Sequence, residues 1–132
     1  MAYLAHRILV VDDDVDLLSE VTRYLRRRGR VVLEAGSFSE AQSVYQSEAD
    51  SIGLVITDVR MPDGNGLDLV RWVLDRSQGK CPCLLMTGHL LPEDLGADLQ
   101  AAAVRVLDKP FAMSALYALV LAKMAQAAEG DS

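Results

Sequence analysis

The sequence predicts one α/β domain in which a parallel β-sheet lies between two layers of helices. Five short segments rich in Val, Ile and Leu alternate with five segments that have helical features, which is typical of strand–helix–strand units joined by right-handed crossovers. The apolar segments are nearly continuous, as expected for strands that helices cover on both faces. A length of 132 residues, 51% of them hydrophobic, suits one core that needs no disulfide.

The first strand and the first helix follow from the pattern of apolar residues. The strand covers residues 7–11, a β-branched run without a helical period. The helix covers residues 15–28, because apolar side chains recur there at spacings of three and four, and Gly29 follows as a stop. Three arginines in its last turn match the negative end of the helix dipole, and we interpret them as a solvated face rather than an anion site. The apolar stripe comprises Val15, Leu18, Val21 and Leu25.

The remaining elements continue the alternation of strand and helix. Ser37, with Glu40 three residues later, predicts a capping box that opens the second helix. Pro92 and Gly96 weaken the first turns of the fourth helix, which we therefore expect to be short or mobile. We predict strands over residues 31–34, 52–57, 82–86 and 104–107, helices from the Ser37 cap to about 48, over 67–76, about 92–102 and 113–127, and a polar tail at 129–132.

The charge of the chain disfavours several classes of function. A formal net charge of -6 and an isoelectric point near 4.8 would repel a nucleic-acid backbone, so we expect no direct nucleic-acid binding and look for cations instead. No charged-then-apolar leader opens the chain, and no apolar run approaches the roughly 18 residues that span a bilayer. We therefore expect no membrane contact and a cytoplasmic location.

The two cysteines, Cys81 and Cys83, lie two residues apart in an apolar stretch. We expect reduced core residues that point to opposite faces of the fourth strand. A disulfide or a metal-binding pair is the alternative, which the lack of His or further Cys nearby disfavours.

Polar side chains follow four of the five predicted strands, at the point where each strand ends. In open α/β sheets, ligands bind beyond the carboxyl ends of the strands, near the point where strand order reverses. Clustered carboxylates repel one another and resist desolvation, so such a group persists where a cation or a function compensates. The residues expected on this rim are Asp12, Asp13 and Asp14 after the first strand, Asp58 after the third, Thr87 after the fourth and Lys109 after the fifth.

The residue types on this rim suit a magnesium ion and a phosphoryl group. Carboxylate oxygens with open water positions are the ligands that Mg²⁺ prefers. Lys109 would supply a positive charge and Thr87 a hydrogen bond to a second anion. Asp58 is the candidate nucleophile for an aspartyl phosphate, because the tight loop over residues 59–66 can expose its carboxylate.

Five motifs in a fixed order are Val-Val-Asp-Asp-Asp at 10–14, Asp58 with Met61 and Pro62, Gly66, Met86-Thr87-Gly88, and Lys109-Pro110-Phe111. Together they resemble the response-regulator receiver family of two-component signalling, over residues 7 to about 127. The resemblance implies a flavodoxin-like doubly wound five-stranded parallel sheet, with strand order 2-1-3-4-5 and helices on both faces. It also implies that residues 1–132 form a single receiver domain.

The resemblance assigns a role to each residue that matches a family motif. By position, Asp58 would accept the phosphoryl group, and Thr87 and Lys109 would bind its oxygens. The implied ligands of Mg²⁺ are the carboxylates of Asp13, directly, of Asp12, mostly through water, and of Asp58, together with the main-chain carbonyl of Arg60.

The resemblance implies a signalling switch and not an enzyme. A sensor histidine kinase or a histidine phosphotransfer protein would donate the phosphoryl group, and the domain would promote only its own phosphorylation and dephosphorylation. An output partner would bind the face formed by the fourth helix, the fifth strand and the fifth helix. The sequence leaves open whether the protein forms a homodimer. Whether the chain works alone or belongs to a larger protein, such as a hybrid kinase, also stays open.

Two other functions compete with this interpretation. A pseudo-receiver, a protein-binding module without phosphoryl chemistry, would have the same fold, but the full set of acidic, hydroxyl and amine residues disfavours it. A phosphatase with an aspartyl nucleophile would carry that residue at the end of the first strand, with a second acid two residues later. Here the candidate nucleophile, Asp58, follows the third strand.

Two positions depart from the family pattern. Val106 stands three residues before Lys109, where relatives carry an aromatic ring that turns inward on phosphorylation, so coupling to output is weak or takes another route. Ala102 stands where many relatives carry glycine before the fifth strand.

Arg60 and His89 are candidates for the rim of the pocket. Arg60 could control the access of water or a partner, and His89 could have a titrating role.

Overall fold

The computed structural model describes residues 6–88 and 92–130. The order of strands in its main sheet is β2-β1-β3-β4-β5, numbered along the chain, and all neighbouring strands are parallel. This order confirms the predicted 2-1-3-4-5 and gives the sheet a flavodoxin-like doubly wound arrangement. The five strands are β1 (Arg7–Val11), β2 (Val32–Ala35), β3 (Ile52–Asp58), β4 (Cys83–Thr87) and β5 (Arg105–Asp108).

Helices connect the strands as predicted, with ends that differ by a few residues. The fourth helix is short, as expected: a 3-10 turn over Pro92–Leu95 precedes only five α-helical residues. Within residues 6–88 and 92–130, no helix combines the length and the hydropathy needed to cross a membrane. The helices are α1 (Val15–Arg27), α2 (Phe38–Glu48), α3 (Gly66–Ser77), α4 (Ala97–Ala101) and α5 (Met113–Gly130).

The helices form two layers, which explains why the strands are apolar throughout. One buried cluster contains Leu9 and Val11 of β1 together with residues of α2, α3 and α4. The other contains Ile8 and Val10 of β1 together with residues of α1 and α5. Because side chains alternate along a strand, both faces of β1 are buried, and the polar groups can gather only at the ends of the strands.

Helix α1 begins and ends close to its predicted bounds, but its apolar stripe is shorter than expected. Val15 was predicted to belong to the stripe, and this is wrong: the residue is 76% exposed in the first turn of the helix. The side chain of Asp14 caps this turn, accepting hydrogen bonds from the main-chain N–H groups of Asp16 at 3.1 Å and Leu17 at 3.2 Å. Gly29 has a φ of 82°, so the predicted helix stop is confirmed.

The three arginines at the end of α1 are exposed, in agreement with the predicted solvated face, and two of them also contact neighbouring groups. The guanidinium carbon of Arg28 lies 4.5 Å from the ring centroid of Tyr24 in α1 and 5.2 Å from that of Tyr117 in α5. Arg26 donates to the carbonyl of Val32 at 3.0 Å. Arg28 therefore helps to hold α1 against α5 through cation–π contacts, although its side chain is exposed.

Ser37 caps helix α2, as predicted, but the capping box is not reciprocal. The hydroxyl oxygen of Ser37 accepts a hydrogen bond from the main-chain N–H of Glu40 at 3.1 Å. The carboxylate of Glu40 reaches back to the N–H of Gly36, at 3.3 Å, one residue before the expected partner.

The two cysteines are buried and free, in agreement with the expectation of reduced core residues. Their predicted placement on opposite faces of the strand is wrong. Cys81 precedes β4, Cys83 opens it, and both pack in the cluster on the side of α2, α3 and α4. The reason is that side chains alternate along an extended chain, so residues two apart share a face.

Helix α4 ends in a left-handed turn whose position the sequence did not reveal. Ala103 has a φ of 57°, whereas Ala102, the residue at the family's glycine position, has a φ of -80°. The N–H of Ala103 donates to the carbonyl of Gln100 at 3.0 Å, and the N–H of Val104 donates to that of Leu99 at 3.1 Å. This is a Schellman motif with alanine in the place that glycine usually takes.

Candidate functional site

The carboxyl ends of β1, β3 and β5 bring one amine between two carboxylates. The Nζ atom of Lys109 lies 3.2 Å from Oδ2 of Asp12 and 3.2 Å from Oδ2 of Asp58. The side chain of Asp12 is fully buried, and that of Asp58 is 14% exposed. The predicted convergence of these residues on one rim is therefore present, across separations of up to 97 positions in the chain.

Strand register explains why these side chains meet. Val11 of β1 pairs with Thr57 of β3, so the next residue of each strand, Asp12 and Asp58, ends up side by side. Asp58 in turn pairs with Met86 of β4, so Thr87 follows at the same level. The N–H of Lys109 donates to the carbonyl of Thr87 at 2.7 Å, which ties the end of β5 to the end of β4.

Three carboxylates form a cluster that could hold a metal ion. Asp12, Asp13 and Asp58 each offer an oxygen within 4.8 Å of the others. Asp12 is buried, Asp58 is partly buried and Asp13 is exposed, so the cluster opens toward solvent on one side. Oxygen ligands of this kind suit a hard divalent cation such as Mg²⁺.

The electrostatics of the cluster favour a cation as well. Burial raises the pKa of Asp12, and the charge of Asp58 raises it further, against the opposing effects of the Asp14 N–H and of Lys109. For Lys109, burial lowers the pKa, but the charges of Asp12 and Asp58 outweigh burial and raise it above the ordinary value. One amine thus leaves the buried carboxylate incompletely compensated, which is the condition that a bound metal relieves.

A small pocket of about 210 Å³ lies beside the acidic cluster. It is open to solvent and presents a carboxylate, a hydroxyl and an amine to the same space. Thr87, which the sequence placed here, is only 6% exposed. The residues lining the pocket are Asp58, Arg60, Thr87, Gly88 and Lys109.

The loop after Asp58 folds back as a short hairpin that requires glycine at position 66. Arg60 pairs with Asn65 and Met61 with Gly64 in antiparallel register. A Cβ atom at Gly66 would lie 2.0 Å from the carbonyl oxygen of Asp58, because the chain returns directly over the backbone of that residue. The motif glycine is therefore needed for close approach, and it lets the N–H of Gly66 donate to the carbonyl of Val59 at 2.7 Å.

The other predicted rim residues differ in position. Arg60 is exposed and lines the mouth of the pocket. Asp14 turns away to cap α1, and its main-chain N–H donates to Oδ1 of Asp12 at 2.9 Å. Val106 packs partly buried against the cluster on the side of α2, α3 and α4. His89 lies outside the described residues.

Sequence reasoning missed one acidic residue near the site. The carboxylate of Asp63, at the tip of the hairpin, accepts hydrogen bonds from the N–H groups of Phe38 at 2.9 Å and Ser39 at 3.0 Å. These partners lie more than twenty positions away in α2, so no local pattern in the sequence could have indicated the contact.

The chain is similar to a known protein family and to several bacterial proteins. The response regulator receiver domain is the family whose model matches residues 8–121. The uncharacterized transcriptional regulatory protein YrkP of Bacillus subtilis is 32% identical over 121 residues, 92% of this chain and 50% of YrkP. The photosynthetic apparatus regulatory protein RegA of Cereibacter sphaeroides is 31% identical over 116 residues, 88% of this chain and 61% of RegA. The chain thus spans about half of YrkP and three fifths of RegA.

Solved structures agree with this family match. A crystal structure of a response regulator receiver domain protein from Clostridium thermocellum has a TM-score of 0.83 to this chain. The two share 26% identity, and the alignment covers 92% of this chain and 95% of that one.

Proposed function

Since the chain belongs to the response regulator receiver domain family, we propose that it is a phosphorylation-operated switch with Asp58 as the phosphate acceptor. Receiver domains are signalling switches of two-component systems. In this proposal, residues 1–132 form one receiver domain, and the domain promotes only its own phosphorylation and dephosphorylation.

The observation that carries the proposal is the position of Lys109. Its ammonium group lies 3.2 Å from Asp58 and faces the same pocket as the hydroxyl-bearing Thr87. A phosphoryl group on Asp58 would bring negative oxygens into this pocket, where Lys109 supplies charge and Thr87 a hydrogen-bond donor. The pocket therefore offers the acceptor and two groups that stabilise the product.

The acidic cluster fits the magnesium ion that this chemistry uses. Asp12, Asp13 and Asp58 would hold the ion through their carboxylates, and Arg60 through its main-chain carbonyl. Bound Mg²⁺ supplies positive charge that neutralises phosphoryl oxygens in phosphoryl transfer. The raised pKa of Asp12 supports this assignment, because it indicates negative charge that the protein alone does not balance.

The transfer itself requires little covalent help from the protein. An oxygen of the Asp58 carboxylate attacks the phosphorus of a phosphohistidine, the P–N bond breaks, and the histidine nitrogen leaves with the electron pair and is protonated. Lys109 neutralises charge that develops on the phosphoryl oxygens, and water later hydrolyses the acyl phosphate. Hydrolysis restores the free Asp58 carboxylate, so the domain acts on itself and turns over no separate substrate.

The partners in this proposal follow from the family. A sensor histidine kinase or a histidine phosphotransfer protein donates the phosphoryl group in the cytoplasm, and the protein contacts neither nucleic acid nor membrane directly. An output partner binds the face of α4, β5 and α5, and a homodimer is a further expectation. Because Val106 has no ring to rotate, phosphorylation either changes this face by another route or is weakly coupled to it.

Incubation with Mg²⁺ and acetyl phosphate, followed by intact mass measurement, tests the proposal. The wild type should gain the mass of one phosphoryl group, and Asp58→Asn should gain none while keeping its far-UV circular dichroism spectrum. A wild type that stays unmodified would favour a pseudo-receiver, and labelling that persists in Asp58→Asn would refute the acceptor.

A further inference from the structure

The hairpin after the acceptor is tied to the first turn of α2 by one carboxylate. Oδ1 of Asp63 accepts a hydrogen bond from the N–H of Phe38 at 2.9 Å, and Oδ2 accepts one from the N–H of Ser39 at 3.0 Å. The first N–H groups of a helix have no partner within the helix, and they favour negative charge. Accordingly, the hydrogen bonds from Ser39 and Phe38 lower the pKa of Asp63 below its usual value.

A packing contact reinforces this link. A Cβ atom at Gly64 would lie 2.5 Å from Cγ of Phe38, so the phenyl ring rests directly on the backbone of the hairpin. Helix α2 therefore holds the hairpin tip by two hydrogen bonds and one ring contact.

The hairpin connects this tip to the metal site. Its two strands pair Arg60 with Asn65 and Met61 with Gly64, so backbone pairing links the tip to the base. Arg60 opens the hairpin, and its main-chain carbonyl is the proposed metal ligand from this segment. The direction of a main-chain carbonyl is set by the backbone, and here the backbone is held from α2.

We propose that Asp63 is a positioning residue for the metal site, which couples Mg²⁺ binding to the N-terminal turn of α2. The inference rests on the proposed function, because it takes the Arg60 carbonyl to be a ligand. Asp63 itself would not contact the metal. Its two hydrogen bonds would hold the hairpin in the conformation that presents the carbonyl, so less order has to be gained when the ion binds.

Coupling between two sites is reciprocal. If the bridge from Asp63 to α2 strengthens Mg²⁺ binding by some factor, then Mg²⁺ must stabilise that bridge by the same factor. The N–H groups of Phe38 and Ser39 report on the bridge directly, because their hydrogen bonds to Asp63 protect them from exchange.

The chain offers a matched control in Ser37. Its hydroxyl caps the same helix turn by accepting from the N–H of Glu40, and it makes no hydrogen bond to the hairpin. Ser37→Ala thus weakens the start of α2, whereas Asp63→Ala weakens the same turn and also releases the hairpin. In Asp63→Asn, the amide oxygen can still accept one of the two hydrogen bonds. The amide nitrogen, which replaces the second oxygen, cannot accept the other.

Titration of Mg²⁺ by calorimetry, with folding checked by circular dichroism and urea denaturation, separates these roles. We expect Asp63→Ala to bind Mg²⁺ about tenfold more weakly than the wild type, Asp63→Asn to be intermediate, and Ser37→Ala to be unchanged. In the wild type, saturating Mg²⁺ should slow the hydrogen exchange of the Phe38 and Ser39 amides by a similar factor.

Two results would overturn the inference while leaving the proposed function in place. One is wild-type Mg²⁺ affinity in a folded Asp63→Ala protein, and the other is amide exchange at Phe38 and Ser39 that does not respond to Mg²⁺ in a wild type that binds it. A wild type that binds no Mg²⁺ at all would overturn both this inference and the metal-dependent function.

Discussion

At the scale of single residues, Asp12 carries the largest electrostatic conflict of the site. Its side chain is fully buried, it lies next to the carboxylates of Asp13 and Asp58, and one amine, that of Lys109, serves both Asp12 and Asp58. A buried carboxylate costs free energy in its charged form unless other groups compensate it. The sequence suggested this conflict because three acids follow the first strand. Burial raises the pKa of Asp12, so the conflict can be tested through the pH dependence of stability.

Replacing Asp12 should change how stability depends on pH. Its pKa is raised in the folded protein, so the native state binds this proton more tightly than the unfolded chain does, and the wild type should lose stability as pH rises through the raised pKa. Asp12→Asn has no such proton to lose. Without metal, it should be more stable than the wild type at neutral pH by about 1 kcal/mol, and equally stable below the ordinary carboxyl pKa of about 4.

Urea denaturation at a series of pH values, without metal, measures this difference. An Asp12→Asn protein whose advantage stays constant across the series would contradict the electrostatic cause. Adding Mg²⁺ should reverse the order at neutral pH, because the ion compensates the charge only in the wild type.

Replacing Gly66 should damage both the fold and the site. A Cβ there would lie 2.0 Å from the carbonyl oxygen of Asp58 and 2.9 Å from Cα of Val59, and both are backbone atoms that cannot rotate away. We expect Gly66→Ala to lose about 3 kcal/mol of stability and most of its phosphorylation by acetyl phosphate. Gly36→Ala is the control, because a Cβ at that position meets nothing within 4 Å and should change stability by less than about 0.5 kcal/mol.

Both Gly66 effects are measured by urea denaturation and intact mass. Wild-type stability together with wild-type phosphate uptake in Gly66→Ala would show that the loop after Asp58 can move without cost.

At the scale of elements, α4 is the segment least supported by its own sequence. It has five residues, and α3 holds it from the side: Arg71 Nε lies 2.8 Å from Oδ2 of Asp98, and Arg71 Nη2 donates to the carbonyl of Leu95 at 3.0 Å. On the other side, the ammonium of buried Lys123 in α5 donates to the carbonyl of Ala103. The neighbouring helices α3 and α5 therefore hold α4 in place, because so short a helix has little stability of its own.

The end of α4 offers a way to strengthen this element. Ala103 adopts a left-handed conformation that glycine reaches without steric cost, so Ala103→Gly should raise the free energy of unfolding by about 0.5 to 1 kcal/mol. Ala102→Gly is the matched control. At a φ of -80°, it gains nothing in the folded state and should lower stability, because glycine makes the unfolded chain more flexible.

Thermal or urea unfolding of the two variants decides this prediction. If Ala102→Gly were the stabilising change, the turn would have its left-handed residue at the family's glycine position and not one residue later.

At the scale of the whole molecule, the doubly wound sheet separates packing from chemistry. Helices bury both faces of the strands, so the apolar residues build the core and the acids collect at the carboxyl ends. With a net charge of -6, the protein gains from any cation held at that edge. Binding of Mg²⁺ should therefore stabilise the whole domain, because a ligand of the native state shifts the folding equilibrium.

Global stability should rise with the concentration of Mg²⁺ and depend on the acidic cluster. At about 100 times the dissociation constant, the gain should be about 2.7 kcal/mol. The gain should shrink in Asp13→Asn and persist in Asp75→Asn, which changes an exposed carboxylate of α3 outside the cluster. Urea denaturation at fixed ionic strength measures it, and an equal response in both variants would place the ion elsewhere.

Much of this protein could be predicted from local patterns. Alternating apolar and helical segments indicated the fold class, and Asp12, Asp58, Thr87 and Lys109 were placed on one rim because each follows a strand. The errors have two different causes, one set by distant parts of the chain and one by a local rule. Val15 fits a helical period but meets no core, because the elements that could cover it lie elsewhere in the chain. The two cysteines share a face because side chains two apart on an extended chain point the same way, which is a local property.

The sequence by itself determined the fold class, the strand order through the family motifs, and the meeting of Asp12, Asp13, Asp58, Thr87 and Lys109 at one edge. Periodicity is a property of neighbouring residues, and the order of motifs can be read directly along the chain. Only the tertiary structure showed that Lys109 lies 3.2 Å from each of two carboxylates. It also showed that Gly66 packs on the backbone of Asp58 and that Asp63 accepts hydrogen bonds from α2. Each of these is a distance between segments that are far apart in sequence, and such distances are set when the sheet and its helices pack together.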